Sequence, residues 1–318
     1  RDHNYWVDKI TDKEKINYAE KLIYKSVKEF SVALTGLKKG EIDMMRSMTP
    51  DLFYNQTNSK KFTDNFNKET FYYPSYTYLG WNNNSPIFKD KMVRRAMTYL
   101  CNREQIIESV YYNDGQIAKS SVYFKRPEYN DELVPYPFNP NEARKLLQER
   151  GWKDSDGDGI LDKIIDGQLT KFTFRFLTNV GNEKRKQVGL IMVEELRKVG
   201  IEAELQTLEW SVFLNNVRDQ KFDAIILGWA MSITDTDPYQ VWHSSQAENR
   251  GSNSISFKNS RVDELIEMNR KEFDFKVRMD YMREFQEILH EEQPYTFLVC
   301  SKSHLVHHKR FKGINIYP

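Results

Sequence analysis

Between residues 171 and 229 the apolar positions change period in a regular way. Lys171 to Thr178 puts Phe172, Phe174 and Phe176 on alternate positions, which predicts a strand with one buried face. Glu183 to Val199 spaces Val188, Ile191, Met192, Leu196 and Val199 at helical intervals and stops at Gly200. Ile201 to Leu208 predicts a second strand and Ser211 to Arg218 a short helix. Phe222 to Leu227 predicts a strand apolar enough to be covered on both faces. Strands and helices alternating with short turns predict parallel strands joined by crossovers, hence an α/β fold.

The flanks are less regular. Ser31 to Leu37 leads into Lys38-Lys39-Gly40, a helix end, and Glu41 to Met45 predicts a short strand. Phe71 to Leu79 has β character interrupted by Pro74. Asn82 to Pro86 predicts a turn and a candidate hinge, followed by an amphipathic helix from Asp90 to Cys101 and another from Gln105 to Tyr111. Ser120 to Pro137 reads as a long surface connection. Asn139-Pro140 caps a helix that ends at Arg150-Gly151. Two further helices, Arg261 to Phe273 and Lys276 to Glu292, precede an apolar strand from Tyr295 to Cys300.

Composition narrows the function. The 318 residues carry 47 basic and 46 acidic side chains, well mixed, for a net charge of +1. That excludes nucleic acid as the main partner, because phosphate binding needs a basic excess on one face. Hydrophobic content is 39% and aromatic content 14%, so Tyr, Phe and Trp carry much of the burial. No run of apolar residues is long enough to cross a bilayer as a helix. The isolated Cys101 and Cys300 exclude a disulfide scaffold or a paired-cysteine metal site.

Candidate chemistry falls in three places. Asp154, Asp156, Asp158 and Asp162 resemble the start of an oxygen-rich calcium loop, but Ile165 stands where a bidentate Glu is needed. A structural Ca2+ ion and a plain Asp-Gly turn both remain open there; no cofactor is required. His304, His307 and His308 read as an exposed strand and turn, without a carboxylate nearby in sequence. The third place is the most informative: Glu209-Trp210 and Gly228-Trp229 end two successive strands. Ligands in open α/β sheets sit beyond the carboxyl ends of the strands. Two indoles at one edge, beside Asp235 and Asp237, suit a ligand with a cationic head and apolar parts. Nucleophile elbows, zinc-protease helices and phosphate loops are absent from the sequence, so an enzyme is not expected.

Several segments, in order, resemble one family. NYWVDKI, LKKGEIDMM, WNNNSPIFKDKMVRRAMTYLCNREQII, NPNEARKLLQERGW, GIEAELQTLEWSVFL, FDAIILGW, DTDPYQVWHSS and EEQPYTFLV together are similar to the extracellular solute-binding proteins of family 5, the peptide, nickel and opine-binding components of ABC importers. The resemblance implies a two-lobe periplasmic-binding-protein-like fold (type II, cluster C) with mixed sheets flanked by helices and with the family's N-terminal part absent. It assigns residues 1–80 to lobe I, 81–295 to lobe II and 296–318 to a return to lobe I. It implies capture of a peptide or related small solute in the cleft and delivery to membrane permease subunits. A periplasmic or cell-surface monomer is implied, with a lipid anchor in the missing part as one option. Trp210 and Trp229 match the family's cleft indoles, with Ala230, Met231, Asp237 and Tyr239 beside them. Oligopeptide-binding members carry an Asp three residues after the second Trp; Ser232 stands there, and Asp235 is expected to replace it. A calcium-stabilised adhesion or scaffolding module is the alternative reading, and a carbohydrate-active enzyme using Asp235 and Asp237 ranks below it.

Overall fold

The computed structural model describes residues 21–27, 29–231 and 237–316. In chain order these form α1 (Phe30–Lys39), β1 (Met44–Met45), α2 (Pro50–Asn55), α3 (Lys60–Asn65), β2 (Phe66–Tyr72), β3 (Ser75–Trp81), α4 (Lys91–Tyr99), α5 (Arg103–Tyr111) and β4 (Gly115–Ile117). Then come α6 (Pro140–Glu149), a small hairpin of β5 (Asp162–Ile165) and β6 (Gln168–Lys171), β7 (Thr173–Asn179), α7 (Glu183–Arg197), β8 (Glu202–Leu208), α8 (Trp210–Arg218) and β9 (Ala224–Ala230). The chain ends with α9 (Tyr239–Trp242), α10 (Ser260–Lys271), α11 (Phe275–Glu292) and β10 (Tyr295–His308).

The spine is a long bent ribbon. β10 pairs antiparallel with β3 through its first half and with β2 through its second, so residues 66–81 and 295–308 run alongside one another. Pro74 separates β2 from β3, and its missing N–H marks the bend. At one end β3 pairs with β9, and β7 lies parallel to both β9 and β8, giving the order β10-β3-β9-β7-β8. At the other end β1 and β2 flank the second half of β10. Partners therefore change at residues 73–74 and 301–302. Residues 75–80 and 296–301, given to the first lobe by resemblance, are paired within the α/β end.

Side-chain alternation divides the core between the sheet's two faces. On β9, Ala224 and Ile226 join Phe172, Phe174, Phe176, Trp81 and the inward sides of α4, α5, α6 and α7 in one cluster. Ile225 and Leu227 face a second cluster with Tyr78, Tyr295, Phe213, Trp242 and the sides of α10 and α11. A strand buried on both faces reads as a continuous apolar run, as FDAIIL does. A third, smaller cluster (Leu34, Leu37, Met48, Phe53, Phe62 and Val306 among its members) packs at the β1–β2 end.

Two local expectations are corrected and a third is refined. The Asn82 to Pro86 turn is clamped: Asn82 is buried, its side chain donates to the Gln220 and Phe222 carbonyls, and the Asn83 N–H donates to Ile255. A turn held this way at both sides does not hinge. The 120–137 connection is pinned as well. Gln286 of α11 accepts from Ser120 Oγ (2.8 Å) and the Asn130 N–H (3.1 Å), and donates to the Glu128 carbonyl (2.7 Å). Finally, the last strand runs to His308, not Cys300, and buries His304 and His307.

Candidate functional site

Register places the two indoles. Leu177 of β7 is level with Gln206 of β8 and with Ile225 of β9. Trp210 and Trp229 each lie four positions further on, so both stand at the carboxyl edge of the parallel strands, Trp229 still paired with Tyr76 of β3. Two strand spacings separate β8 from β9, about 10 Å at the usual interval. Asn179, the end of β7, lies between them. Trp210 opens α8 and is 49% exposed, its ring 5.9 Å from Phe213.

Trp229 is half-buried against an aromatic bed. Its Nε1–H donates to the Tyr295 hydroxyl at 3.4 Å, and Tyr295 stacks on Tyr78 with ring centres 3.7 Å apart. Burial pushes the Tyr295 hydroxyl up to about 12, so it stays protonated. Gly228 lets β9 lie close against β3. A Cβ at that position would come 2.9 Å from the Tyr76 carbonyl on β3. Beyond Trp229, Ala230 is exposed opposite Ser75, and Met231 is tied back by its N–H to the Pro74 carbonyl (2.7 Å).

The acidic side of the expectation divides. Ser232 and Asp235 lie outside the described residues. Asp237 is exposed and already engaged: it accepts the Tyr239 N–H at 3.1 Å and pairs with Arg270 of α10 at 3.4 Å. The Arg270 guanidinium sits 4.4 Å over the Tyr239 ring, which in turn stacks on His243 at 4.4 Å. Asp237 and Tyr239 thus fasten the loop to α10. His243 Nδ1 is 2.9 Å from Ser245 Oγ, a nucleophile-and-base spacing, but the same nitrogen accepts the Ser245 N–H and caps a short turn.

Sequence reading missed a polar cluster where the ribbon bends. Asp114 is buried, and Tyr54 Oη, His304 Nε2–H (2.7 Å) and Lys302 Nζ (3.3 Å) all donate to it. Burial raises the Asp114 carboxyl, but the three donors outweigh it and hold it below the usual carboxylate range. Tyr54 is pushed up to about 12 by burial and by that carboxylate, and burial lowers His304 below its ordinary value despite Asp114. The Asp114–His304 contact spans 190 residues, so no local pattern in the sequence could have paired them. Beside the cluster, Lys184 and Arg185 open α7, both half-buried. Their place just past β7 was the one signal available.

The acidic loop is held by an internal cation. Oxygens of Asp154, Asp156 and Asp162 lie within 4.8 Å of one another, close enough to share an ion. The Lys171 ammonium, however, bridges Asp156 (2.6 Å) and Asp158 (2.7 Å), and Asp162 accepts from the Ser155 N–H and hydroxyl. Two recesses, of about 730 and 550 Å³, lie elsewhere: one beside Phe124, Arg126 and Tyr129, the other beside Gln206, Lys221 and Asp223. Neither is lined by an indole. Burial raises both thiols, Cys101 and Cys300, to about 12, which makes them poor nucleophiles.

The profile of the bacterial extracellular solute-binding proteins, family 5 (middle), matches residues 1–251. The chain belongs to that family. Oligopeptide-binding protein AppA of Bacillus subtilis is 35% identical over 309 residues, 95% of this chain and 54% of that protein. Its structure in complex with a nonapeptide superposes with a TM-score of 0.81 at 33% identity, over 92% of this chain and 57% of that one. NikZ of Campylobacter jejuni, solved with Ni(L-His), gives 0.79 at 25% identity over 91% and 57%. This family 5 chain therefore spans about half the length of the relatives it matches, and shares their mixed α/β two-lobe architecture over that span. Among the described residues no helix is long and apolar enough to cross a membrane.

Proposed function

We propose that this family 5 chain belongs to a substrate-binding protein that captures a peptide, or a related small solute, between two lobes. It hands the solute to membrane permease subunits for import, outside the cytoplasm and without an enzymatic step or an obligatory cofactor. The observation that carries this reading is the pair of indoles at the carboxyl edge of the parallel strands, in a chain 35% identical to an oligopeptide-binding protein. Trp229 supplies a fixed aromatic wall on the Tyr295 bed, and exposed Trp210 supplies an adaptable one. Asp235 and Ser232 complete the ligand contacts in this reading, and Ala230 and Met231 contribute backbone groups that tolerate many side chains. The lobes part at Pro74 and at residues 301–302, where the ribbon changes partners.

Calorimetric titration of the full-length protein with a nonapeptide tests this. Trp229→Ala is expected to weaken binding about tenfold, the usual cost of truncating a central aromatic anchor. Unchanged affinity in that variant, or no heat with any peptide from dipeptide to nonapeptide, would remove the peptide reading. Mass spectrometry of small molecules that co-purify with the protein separates a peptide from an oligosaccharide or a metal chelate.

A further inference from the structure

Backbone crosses the bend of the ribbon at residues 73–74 and 301–302, and a side-chain bond crosses it away from the ribbon: Tyr54 Oη donates to Asp114. Tyr54 belongs to α2, whose Leu52 and Phe53 are buried in the small cluster with Val306. Asp114 belongs to the α/β end, because it leads into β4, which pairs with Val299, Cys300 and Ser301 of β10. His304 also donates to Asp114, but it sits on β10 and follows that strand. Tyr54 comes from off the ribbon, so its bond is a separate tie between the two ends.

Both partners of the tie are held. The Asp114 N–H donates to the Tyr111 carbonyl at 2.8 Å, and the Asp114 carbonyl accepts from the Lys302 N–H at 2.9 Å. The two residues before it, Tyr112 and Asn113, take positive φ of 56° and 59°. That conformation is unfavourable for a bulky side chain such as Tyr112 and persists where the surroundings impose it. On the other side, the Tyr54 ring lies edge-on to Phe53 and His304, with centres 5.1 and 5.6 Å away. A hydrogen bond is directional and weakens steeply once its length or angle is lost. Between two groups fixed to different ends, it therefore opposes any rotation of one end against the other.

We infer that Tyr54 and Asp114 form a latch that holds the two ends at one angle and so limits how freely the lobes move. This rests on the reading that the lobes part at Pro74 and at residues 301–302, and it adds which side chains restrain that movement. Tyr54 is a positioning residue in this role: it acts on the solute through the angle of the lobes. A hydrogen bond to a charged acceptor shifts an equilibrium between two arrangements roughly ten- to a hundred-fold.

The test uses the full-length protein with no solute added. Spin labels on Lys61→Cys of α3 and Lys276→Cys of α11, both at exposed positions, report the distance between the ends by pulsed electron paramagnetic resonance. Cys101 and Cys300 are buried and stay unlabelled. The protein with Tyr54 intact is expected to give one narrow distance. Tyr54→Phe keeps the ring and removes the hydroxyl, so a second or broadened distance is expected, its share of molecules rising roughly ten- to a hundred-fold. Lys68→Met is the control, because the Lys68 ammonium donates to the Phe53 carbonyl (2.6 Å) and Asn58 Oδ1 (2.9 Å), all within the α1–α3 end. It is expected to lower stability and leave the distance alone. A Tyr54→Phe distribution that matches the parent, or a Lys68→Met distribution that broadens as much, overturns the latch. Peptide titration of the same samples keeps the two readings apart: binding that persists beside matching distances removes the latch and leaves capture standing. A distance that broadens in Tyr54→Phe while no peptide binds supports the latch and removes capture.

Discussion

The two ends of the β2/β3–β10 ribbon hold themselves together on different terms. At the α/β end, β9 and most of β3 are buried on both faces, and two large clusters press on one sheet. At the other end, the second half of β10 meets one small cluster beneath α1, α2 and α3. Between them the chain buries charge rather than carbon: Asp114, His304 and Tyr54 meet where the partners change. A two-faced core fixes strand order by packing, whereas a one-faced end depends on what covers its other side. The seam needs a partner for every buried polar atom, and that specifies one arrangement of the two ends.

The largest expected effect tests this asymmetry directly. Phe176, fully buried among Trp81, Phe174 and the helices of the first cluster, is expected to cost about 3–5 kcal/mol when cut to Ala, the usual range for a core phenylalanine. Leu34→Ala in the small cluster is expected at the low end of the leucine range, about 2–3 kcal/mol, because that cluster has fewer neighbours to leave a rigid void. Chemical denaturation of the full-length variants reads both. A Leu34 cost equal to that of Phe176 would erase the distinction between the ends.

Next comes the seam. Asp114→Ala leaves Tyr54, His304 and Lys302 without their shared acceptor, and the two that are most buried cannot recover a full hydration shell. The expected loss is about 1–3 kcal/mol, the penalty of stranding buried donors. The companion Asp114→Asn, which keeps an acceptor oxygen, is expected to lose less. If the two variants are equally stable, the carboxylate's charge and geometry contribute nothing.

How far the sequence foretold these regions follows the same division. The α/β end was legible because its information is local: Phe172, Phe174 and Phe176 alternate, Asn139-Pro140 starts α6, and FDAIIL reads as a two-faced strand. Register arithmetic then carries Trp210 and Trp229 to one edge. The seam was not legible, because its partners are far apart in the chain and each looks ordinary alone. His304 sits in a polar-looking stretch, Asp114 in an Asn-Asp-Gly turn, and only the bent ribbon brings them together. Asp237 differs: a carboxylate near an indole invites a ligand, and Arg270 of α10, which pairs with it at 3.4 Å, lies far along the chain.

A smaller effect separates the seam from the rest by pH. His304 has a lowered value when folded, so the unfolded chain binds the proton more readily in the window below about 6.5. Stability therefore falls as pH drops through that window. Asp114 has a depressed value, so its contribution persists until pH falls below the usual carboxylate range. Tyr54, raised to about 12, favours the fold until alkaline pH begins to ionise it in the unfolded chain. Denaturation midpoints from pH 7 to 5 should slope downward in wild-type protein and less steeply in His304→Gln. Parallel slopes would mean that His304 is not the group responsible.

The smallest effect is at the acidic loop, where a surface cluster is held as the seam is, by an internal cation on carboxylates. Lys171 is raised by its hydrogen bonds to Asp156 and Asp158, and Asp158 is lowered in turn by Lys171. Both groups still reach water, so the pairing adds little stability by itself and is screened by salt. Its consequence is selectivity: an ammonium between two carboxylates stands in the way of a divalent cation. Wild-type protein is therefore expected to keep its melting temperature when calcium is added or chelated. Lys171→Met removes the ammonium and leaves Asp154, Asp156, Asp158 and Asp162 facing one another, so its melting temperature should fall in chelator and recover with calcium. Calcium-dependent melting of the wild-type protein would show that the ammonium yields to the ion, and the loop would then be a metal site after all.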